Sequence, residues 1–331
     1  MPAPDSPTTA PDGFEFVTCP ACGGERFTVT HQGRDWILNS GATMQVVKCD
    51  ACGLHYTNPR PRVEHLGKYY ENGYAPHQSE REGDTLDGLK GLVLRDAFGA
   101  PSTRPTGAGL AVARAVSLIK LPESFGFGVP YHGSGRLLDF GCGAGKFLRR
   151  MHALGWDVTG IDFSEAAVGA VRAAGLKAFR GTLPNAALAP GSFDVVAMRH
   201  SLEHVPDPLP VLRAARDLLA PGGRLLVQVP NHASWEVDYF GDASPRLDIP
   251  RHLTHFTPPT LSALLDRAGY RNVRAKQVCR SNWIRKAALL SERGPKRAMG
   301  NVFRNSLACR IAAKIAEARG RGNEIIATAD R

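Results

Sequence analysis

Leu137-Leu138-Asp139-Phe140-Gly141-Cys142-Gly143-Ala144-Gly145 is the stretch from which the rest of the chain can be read. Arg136–Phe140 is an apolar run of strand length, and Lys146–Leu154 carries a helical pattern. The glycines between them form a strand-to-helix turn, the place where a doubly wound α/β sheet meets a nucleotide-like ligand. Glycine lets the backbone bend tightly there and lets a ligand come against bare main chain. A phosphate loop would read G-x-x-x-x-G-K-[ST]. Gly145-Lys146 is present, but Phe140 and Phe147 hold the first-glycine and hydroxyl positions, so that reading fails. A dinucleotide fingerprint would read G-x-G-x-x-G, and Lys146 stands where its last glycine belongs.

Working outward, strands and helices alternate. Trp156–Ile161 is a second strand, and Asp162 closes it. Ser164 has the position of an N-cap before a helix with Ala167, Val168, Val171 and Ala174 on one face. Phe193–Met198 is another strand. Asp207-Pro208 opens a helix carrying Val211, Leu212, Ala215, Leu218 and Leu219, and Pro221-Gly222-Gly223 stops it. Arg224–Val229 follows as a strand. Thr257-Pro258 caps a helix with Leu261, Leu264, Leu265 and Ala268 at helical spacing, and Asn272–Val278 and Glu324–Ala329 are the last strands. This alternation predicts an α/β fold with a doubly wound, mostly parallel sheet covered on both faces.

An acidic residue followed by G-x-G-x-G resembles motif I of the class I S-adenosylmethionine (SAM)-dependent methyltransferases. Phe193-Asp194-Val195-Val196 followed by His200-Ser201-Leu202-Glu203-His204-Val205 is similar to that family's fourth-strand motif, and Pro221-Gly222-Gly223-Arg224-Leu225 to the turn before its fifth strand. The resemblance covers about residues 136–280 and resumes at Glu324. It implies a seven-stranded sheet and a SAM site. By position, Gly141, Cys142, Gly143 and Gly145 would line the methionine and ribose side, with Asp139 supporting the loop. Asp162 would hold the ribose hydroxyls, Phe163 would pack on the adenine, Thr182 would contact the adenine, and His200 would lie beside the cofactor. A ubiquinone-pathway branch of the family carries Glu where this chain has His200.

The sulfonium methyl is already electrophilic, so the protein has to orient a nucleophile and, for a hydroxyl, accept its proton. Histidine titrates near neutrality, which makes His200, His252 and His255 the catalytic candidates. His204 reads more as a support for the loop after the fourth strand. The motif [DN]-P-P-[YFW], used where exocyclic base amines are methylated, is missing after that strand.

Cys19-Pro20-Ala21-Cys22-Gly23 and Cys49-Asp50-Ala51-Cys52-Gly53 are two metal knuckles. Together they supply the four thiolates of a closed tetrahedral zinc site, so residues 14–58 read as a zinc ribbon with a structural Zn2+ on Cys19, Cys22, Cys49 and Cys52. His31 and His55 are reserve ligands. The ribbon and the following Tyr56-Thr57-Asn58-Pro59-Arg60-Pro61 resemble the front end of bacterial methyltransferases of sugars, surface polysaccharides and secondary metabolites.

Residues 1–13 read as a disordered tail, 59–130 as a helical linker or lid, and 131–331 as the methyltransferase domain with a basic helical insert at 281–322. With 43% hydrophobic residues, the chain can bury a sizeable core. The tail lacks the pattern of a secretory signal and no apolar run reaches spanning length, so a cytoplasmic protein is expected. Net charge is +10, and residues 271–331 hold 15 Lys/Arg against 4 Asp/Glu. Within the insert, Phe303, Leu307, Ile311 and Ile315 recur every four residues among Arg304, Arg310, Lys314 and Arg319. That pattern suits a basic amphipathic helix, packed on its own domain or lying peripherally on the inner face of a membrane. The expected activity is O-methylation of a sugar, glycolipid or secondary-metabolite acceptor. An RNA methyltransferase using the zinc ribbon and basic segment is the alternative, and a zinc-ribbon interaction protein with a vestigial cofactor domain is a third reading.

Overall fold

The first sixty residues form five strands around two cysteine turns. β1 is Phe14–Glu15, β2 Phe27–Arg34, β3 Thr43–Cys49, β4 His55–Thr57 and β5 Arg60–Pro61. A 3-10 helix spans Val63–Tyr69, α1 spans Gly88–Phe98 and α2 spans Gly107–Ile119. The computed structural model describes residues 10–35, 43–70, 86, 88–119, 128–291 and 301–331. Most of the tail and parts of the 59–130 segment (71–85, 87 and 120–127) thus lie outside the described residues.

The alternating part follows the sequence pattern closely. β6 is Arg136–Phe140, α3 Lys146–Ala153, β7 Asp157–Asp162, α4 Glu165–Ala173, β8 Lys177–Arg180 and β9 Phe193–Arg199. Then come α5 Pro208–Leu218, β10 Leu219–Pro230, α6 Trp235–Phe240, β11 Thr254–His255, α7 Pro258–Arg267 and β12 Arg271–Val278. α8 Ser281–Ser291, α9 Ser306–Ala318 and β13 Glu324–Asp330 complete the chain. Seven strands form one sheet in the order β12-β13-β10-β9-β6-β7-β8. Strands β10, β9, β6, β7 and β8 are mutually parallel, and β13 runs antiparallel to both β10 and β12. β9 is buried almost throughout, as expected for a strand covered on both faces.

Local chemistry explains the ends. Ser164 accepts from the Ala167 N–H at the start of α4, and Thr257 with Thr260 forms a capping box at α7. One boundary differs from expectation. Helix α5 stops at Leu218, and the chain enters β10 at once, with Pro221-Gly222-Gly223 forming an irregularity between Leu219 and Arg224. The proline-glycine turn is a bulge inside a strand, not the helix terminator.

The ribbon is joined to the larger sheet's domain by backbone. β4 pairs with β3 on one side and with β11, from the other end of the sequence, on the other. β1 pairs with β5, so Arg60–Pro61 closes the ribbon segment. Cys19, Val47, Cys49, Leu54 and Tyr56 belong to the same buried cluster as Leu138, Val196, Leu225 and Phe256. Arg251 lies fully buried beneath this junction, held by Asp35 at 2.8 Å and by Asp248 at 2.6 Å. In the 59–130 region, α1 packs through Leu94 and Phe98 against Leu148, Met151 and Trp156, and Trp156 Nε1 donates to the Phe98 carbonyl at 2.9 Å.

Candidate active site

A cavity of about 610 Å³ opens at the carboxyl ends of β6, β7 and β9. Its position follows from topology: β6 and β9 are neighbours, and the chain leaves the sheet to opposite sides from β6 and β9. One half is lined by Gly141, Gly143, Asp162, Phe163, Gly181, Thr182 and Leu183. The other is lined by Val63, Leu66, Tyr70, His200, Ser201, His204, Val205, Pro206 and Pro210.

The glycine turn is shaped by left-handed backbone at three positions, with φ of 73° at Gly141, 51° at Gly143 and 83° at Gly145. A Cβ on Gly141 would stand 2.5 Å from Ser201 Cβ, and one on Gly145 would stand 2.7 Å from Val171 Cγ2. Both glycines are therefore required by neighbouring protein as well as by conformation. Gly143 faces the cavity, and its N–H donates to Asp162 Oδ2 at 2.8 Å. Asp162 Oδ1 accepts from the Ser164 N–H at 2.9 Å. The carboxylate thus ties the loop to the start of α4, and each oxygen keeps acceptor capacity for a diol. Asp139 lies beneath the loop, buried, its Oδ1 without a hydrogen-bond partner among the described residues. Burial pushes its carboxyl up to about 7. Cys142 is also buried below the cavity floor. The expected cofactor set thereby divides: Gly141, Gly143, Asp162, Phe163, Thr182 and His200 line the cavity, and Asp139, Cys142 and Gly145 shape it from outside. A bare-backbone turn, a buried carboxylate and the exposed Phe163 ring fit an adenosyl ligand with an amino-acid tail.

The histidines divide in the same way. His200 directly follows β9, with a left-handed φ of 51°. Its Nδ1 lies 3.3 Å from Glu203 and its Nε2 3.5 Å from Glu324. Burial works against its charged form, but the two carboxylates outweigh it and raise its pKa. Burial alone would raise Glu203, yet the hydrogen bond from His200 and the nearby imidazoles hold it down at about 2. His204 faces the cavity, with Nδ1 3.0 Å from the Arg251 carbonyl and 2.9 Å from Tyr70 Oη. His252 and His255 do not line the cavity. His252 Nδ1 contacts the Arg246 carbonyl at 3.0 Å, and His255 Nε2 contacts Thr57 Oγ1 at 3.0 Å. Burial drives both well below the usual histidine range.

Residues 110–275 match the profile of the family described as Methyltransferase domain, Methyltransf_23. The chain belongs to this family. Among relatives, it is 32% identical to a ubiquinone biosynthesis O-methyltransferase of Xanthomonas euvesicatoria over 47% of this chain and 71% of that protein. It is 44% identical to a protein of the same name from Albidiferax ferrireducens over 27% of this chain and 38% of that protein, a shorter span. A solved SAM-dependent methyltransferase of Thermotoga maritima overlaps 60% of this chain and 83% of its own, at 20% identity and a TM-score of 0.44. This chain is a SAM-dependent methyltransferase.

The methyltransferase carries its four-cysteine cluster apart from that cavity. Cys19, Cys22, Cys49 and Cys52 place their sulfurs within 4.8 Å of one another. The Cys19–Cys52 and Cys22–Cys49 sulfur pairs are each 3.5 Å apart. Tetrahedral zinc with bonds of about 2.3 Å needs sulfurs roughly 3.8 Å apart, so the four thiolates fit that ion. Gly23 and Gly53, with φ of 74° and 75°, donate back to the Cys19 and Cys49 carbonyls and close the two knuckles. His31 and His55 do not join this cluster.

Several methyltransferase site residues were not marked by the sequence. Val63, Leu66 and Tyr70 reach the cavity from the 3-10 helix after the ribbon, and the Tyr70 ring meets Phe163 edge-on at 5.2 Å. The 59–130 segment reads as a linker or lid, but alternation of elements does not single out which of its residues reach the cavity. Glu324, the first residue of the last strand, could have been marked only as a buried carboxylate in search of a cation.

Proposed function

We propose that this methyltransferase O-methylates a hydroxyl of a small acceptor with an apolar body, a secondary metabolite or glycolipid before a free sugar. The carrying observation is the second half of the cavity. Val63, Leu66, Tyr70, Val205, Pro206 and Pro210 offer an apolar surface, and His204 stands among them. The names of the relatives, ubiquinone biosynthesis O-methyltransferases, support transfer to oxygen.

Bound SAM supplies an electrophilic methyl group. The chain's residues do the rest. Asp162 and Phe163 would hold the adenosine, and the apolar wall would direct an acceptor hydroxyl toward the methyl. As the new O–CH₃ bond forms and the S–CH₃ bond breaks, the hydroxyl proton needs an acceptor. His204 suits this role. Donation from its Nδ1–H to the Arg251 carbonyl leaves Nε2 with its lone pair. His200 suits it less, because both its nitrogens are engaged by carboxylates. A buried His252 or His255 would have no path to the acceptor.

None of the cavity-lining residues is Lys or Arg, which speaks against an RNA strand threading into the site. The test is methyl transfer from labelled SAM to a panel of phenols, glycolipids, amines and bulk RNA. Label on oxygen of small acceptors is the expected result. Label confined to RNA or to nitrogen would overturn the reading.

A further inference from the structure

Helix α9 sits inside out for a helix of a water-soluble domain. Its large apolar residues Leu307, Ile311 and Ile315 are 61%, 54% and 47% exposed, and Val302 just before it is 62% exposed. The residues it buries are small: Cys309, Ala313 and Ala316. Cys309 and Ala313 pack with Ile284, Ala287 and Ala288 of α8. Scattered exposed apolar side chains are ordinary on a protein surface. Three branched ones aligned at four-residue spacing form a continuous stripe, which is not. The helical angle of about 100° per residue places Arg310 and Lys314 along one border of that stripe and Arg319 along the other. All three are exposed.

We infer that α9 binds an anionic lipid surface, lying in its plane with Leu307, Ile311 and Ile315 in the acyl boundary. The charge complementarity is on the helix itself and around it. Residues 271–331 carry a surplus of +11, the reverse of the near-neutral remainder. Basic side chains bordering an apolar stripe can extend to lipid phosphates while their stems remain in the apolar layer. Thirteen residues make a helix of about 20 Å, a length suited to lying flat. Among the described residues no helix is long and apolar enough to cross a membrane.

Topology ties this surface to the active site. The insert leaves the sheet after Val278 and returns at Glu324, which are register partners. Glu324 contacts His200, a cavity-lining residue. The lipid-facing helix therefore emerges at the cavity end of the sheet, where a membrane-dissolved acceptor would arrive.

The test is co-sedimentation of the full chain with vesicles of equal parts phosphatidylglycerol and phosphatidylcholine, and with phosphatidylcholine alone. The wild type should bind the anionic vesicles at least about tenfold more tightly, and less so as salt rises. A Leu307→Gln/Ile311→Gln/Ile315→Gln variant should lose about tenfold or more in partitioning. Arg310→Glu/Lys314→Glu should lose the preference for phosphatidylglycerol. Both variants should keep the wild-type SAM affinity by calorimetry, which shows that they are folded and separates this inference from the methyl-transfer reading. Absence of wild-type binding, or undiminished binding by the triple variant, would overturn it. So would a lipid-free wild-type dimer that the triple variant dissolves, since the stripe would then be a contact between copies.

Discussion

His200 and His204 are four residues apart and face the same cavity, yet their surroundings assign them different work. The His200 imidazole lies between Glu203 and Glu324, two buried carboxylates that raise its pKa. His200→Ala should therefore cost about 2 kcal/mol of stability in urea unfolding at neutral pH, through charges left short of a partner. His204→Ala should leave stability within about 0.5 kcal/mol but lower turnover by about 10²-fold or more at unchanged SAM affinity. Equal kinetic losses in both variants would remove the proton-acceptor role of His204. The pH dependence has a definite sign. His200 has a raised folded pKa, so its contribution is full below the ordinary histidine value and is lost as pH rises through the raised one. Glu203 is held at about 2, so its contribution is present above the ordinary glutamate value and is lost as pH falls toward 2. Stability measured across pH should therefore form a plateau between these limits in the wild type; in His200→Ala the alkaline loss, which His200 itself makes, should disappear, and the acid loss at Glu203 should shrink. Asp162→Ala should weaken SAM binding at least about tenfold, because the Gly143 amide loses its acceptor and the ribose loses its own.

At the scale of elements, the β4–β11 pairing joins the cysteine-bearing sheet to the loop that carries His252 and Leu253. Thr57 Oγ1 donates to the His252 carbonyl at 2.7 Å, and the Thr57 N–H donates to the Leu253 carbonyl at 3.0 Å. Loss of zinc should unfold the knuckles and loosen this strand pair. Cys22→Ser/Cys52→Ser should lose bound zinc by elemental analysis and show faster amide exchange at residues 253–256. Unchanged exchange there would show that the two sheets are mechanically independent. Arg251→Ala should destabilise the chain by about 3–5 kcal/mol, because Asp35 and Asp248 would be left buried with their common cation removed. Elements that follow local pattern were legible in the sequence: the strand before Gly141, the Ser164 cap, the Thr257 capping box and the four-cysteine set. What stayed hidden depends on contacts between distant residues. Thr254–His255 reads as a loop because two residues carry no period, and only its pairing with Tyr56 and His55 makes it a strand. For the same reason His252 and His255 read as catalytic loop residues, although they sit in the junction between the sheets.

For the whole molecule, the zinc ribbon and the seven-stranded sheet share one buried core. SAM at a hundred times its dissociation constant should raise unfolding stability by about 2.7 kcal/mol if it binds only the folded state. Chelation of zinc should abolish most of that gain if the ribbon and the cavity unfold together, and spare it if they unfold apart. Differential scanning fluorimetry with and without chelator decides between the two. The charge distribution was legible as an uneven one, but the orientation of α9 was not. A repeat of Phe303, Leu307, Ile311 and Ile315 specifies a stripe, and only the packing of Cys309 and Ala313 against α8 specifies which way the stripe looks.

Because β11 completes the zinc-bearing sheet, the first sixty residues are not a detachable cassette. Grafted onto another enzyme, they would arrive with an open strand edge, ready to pair with any extended chain nearby.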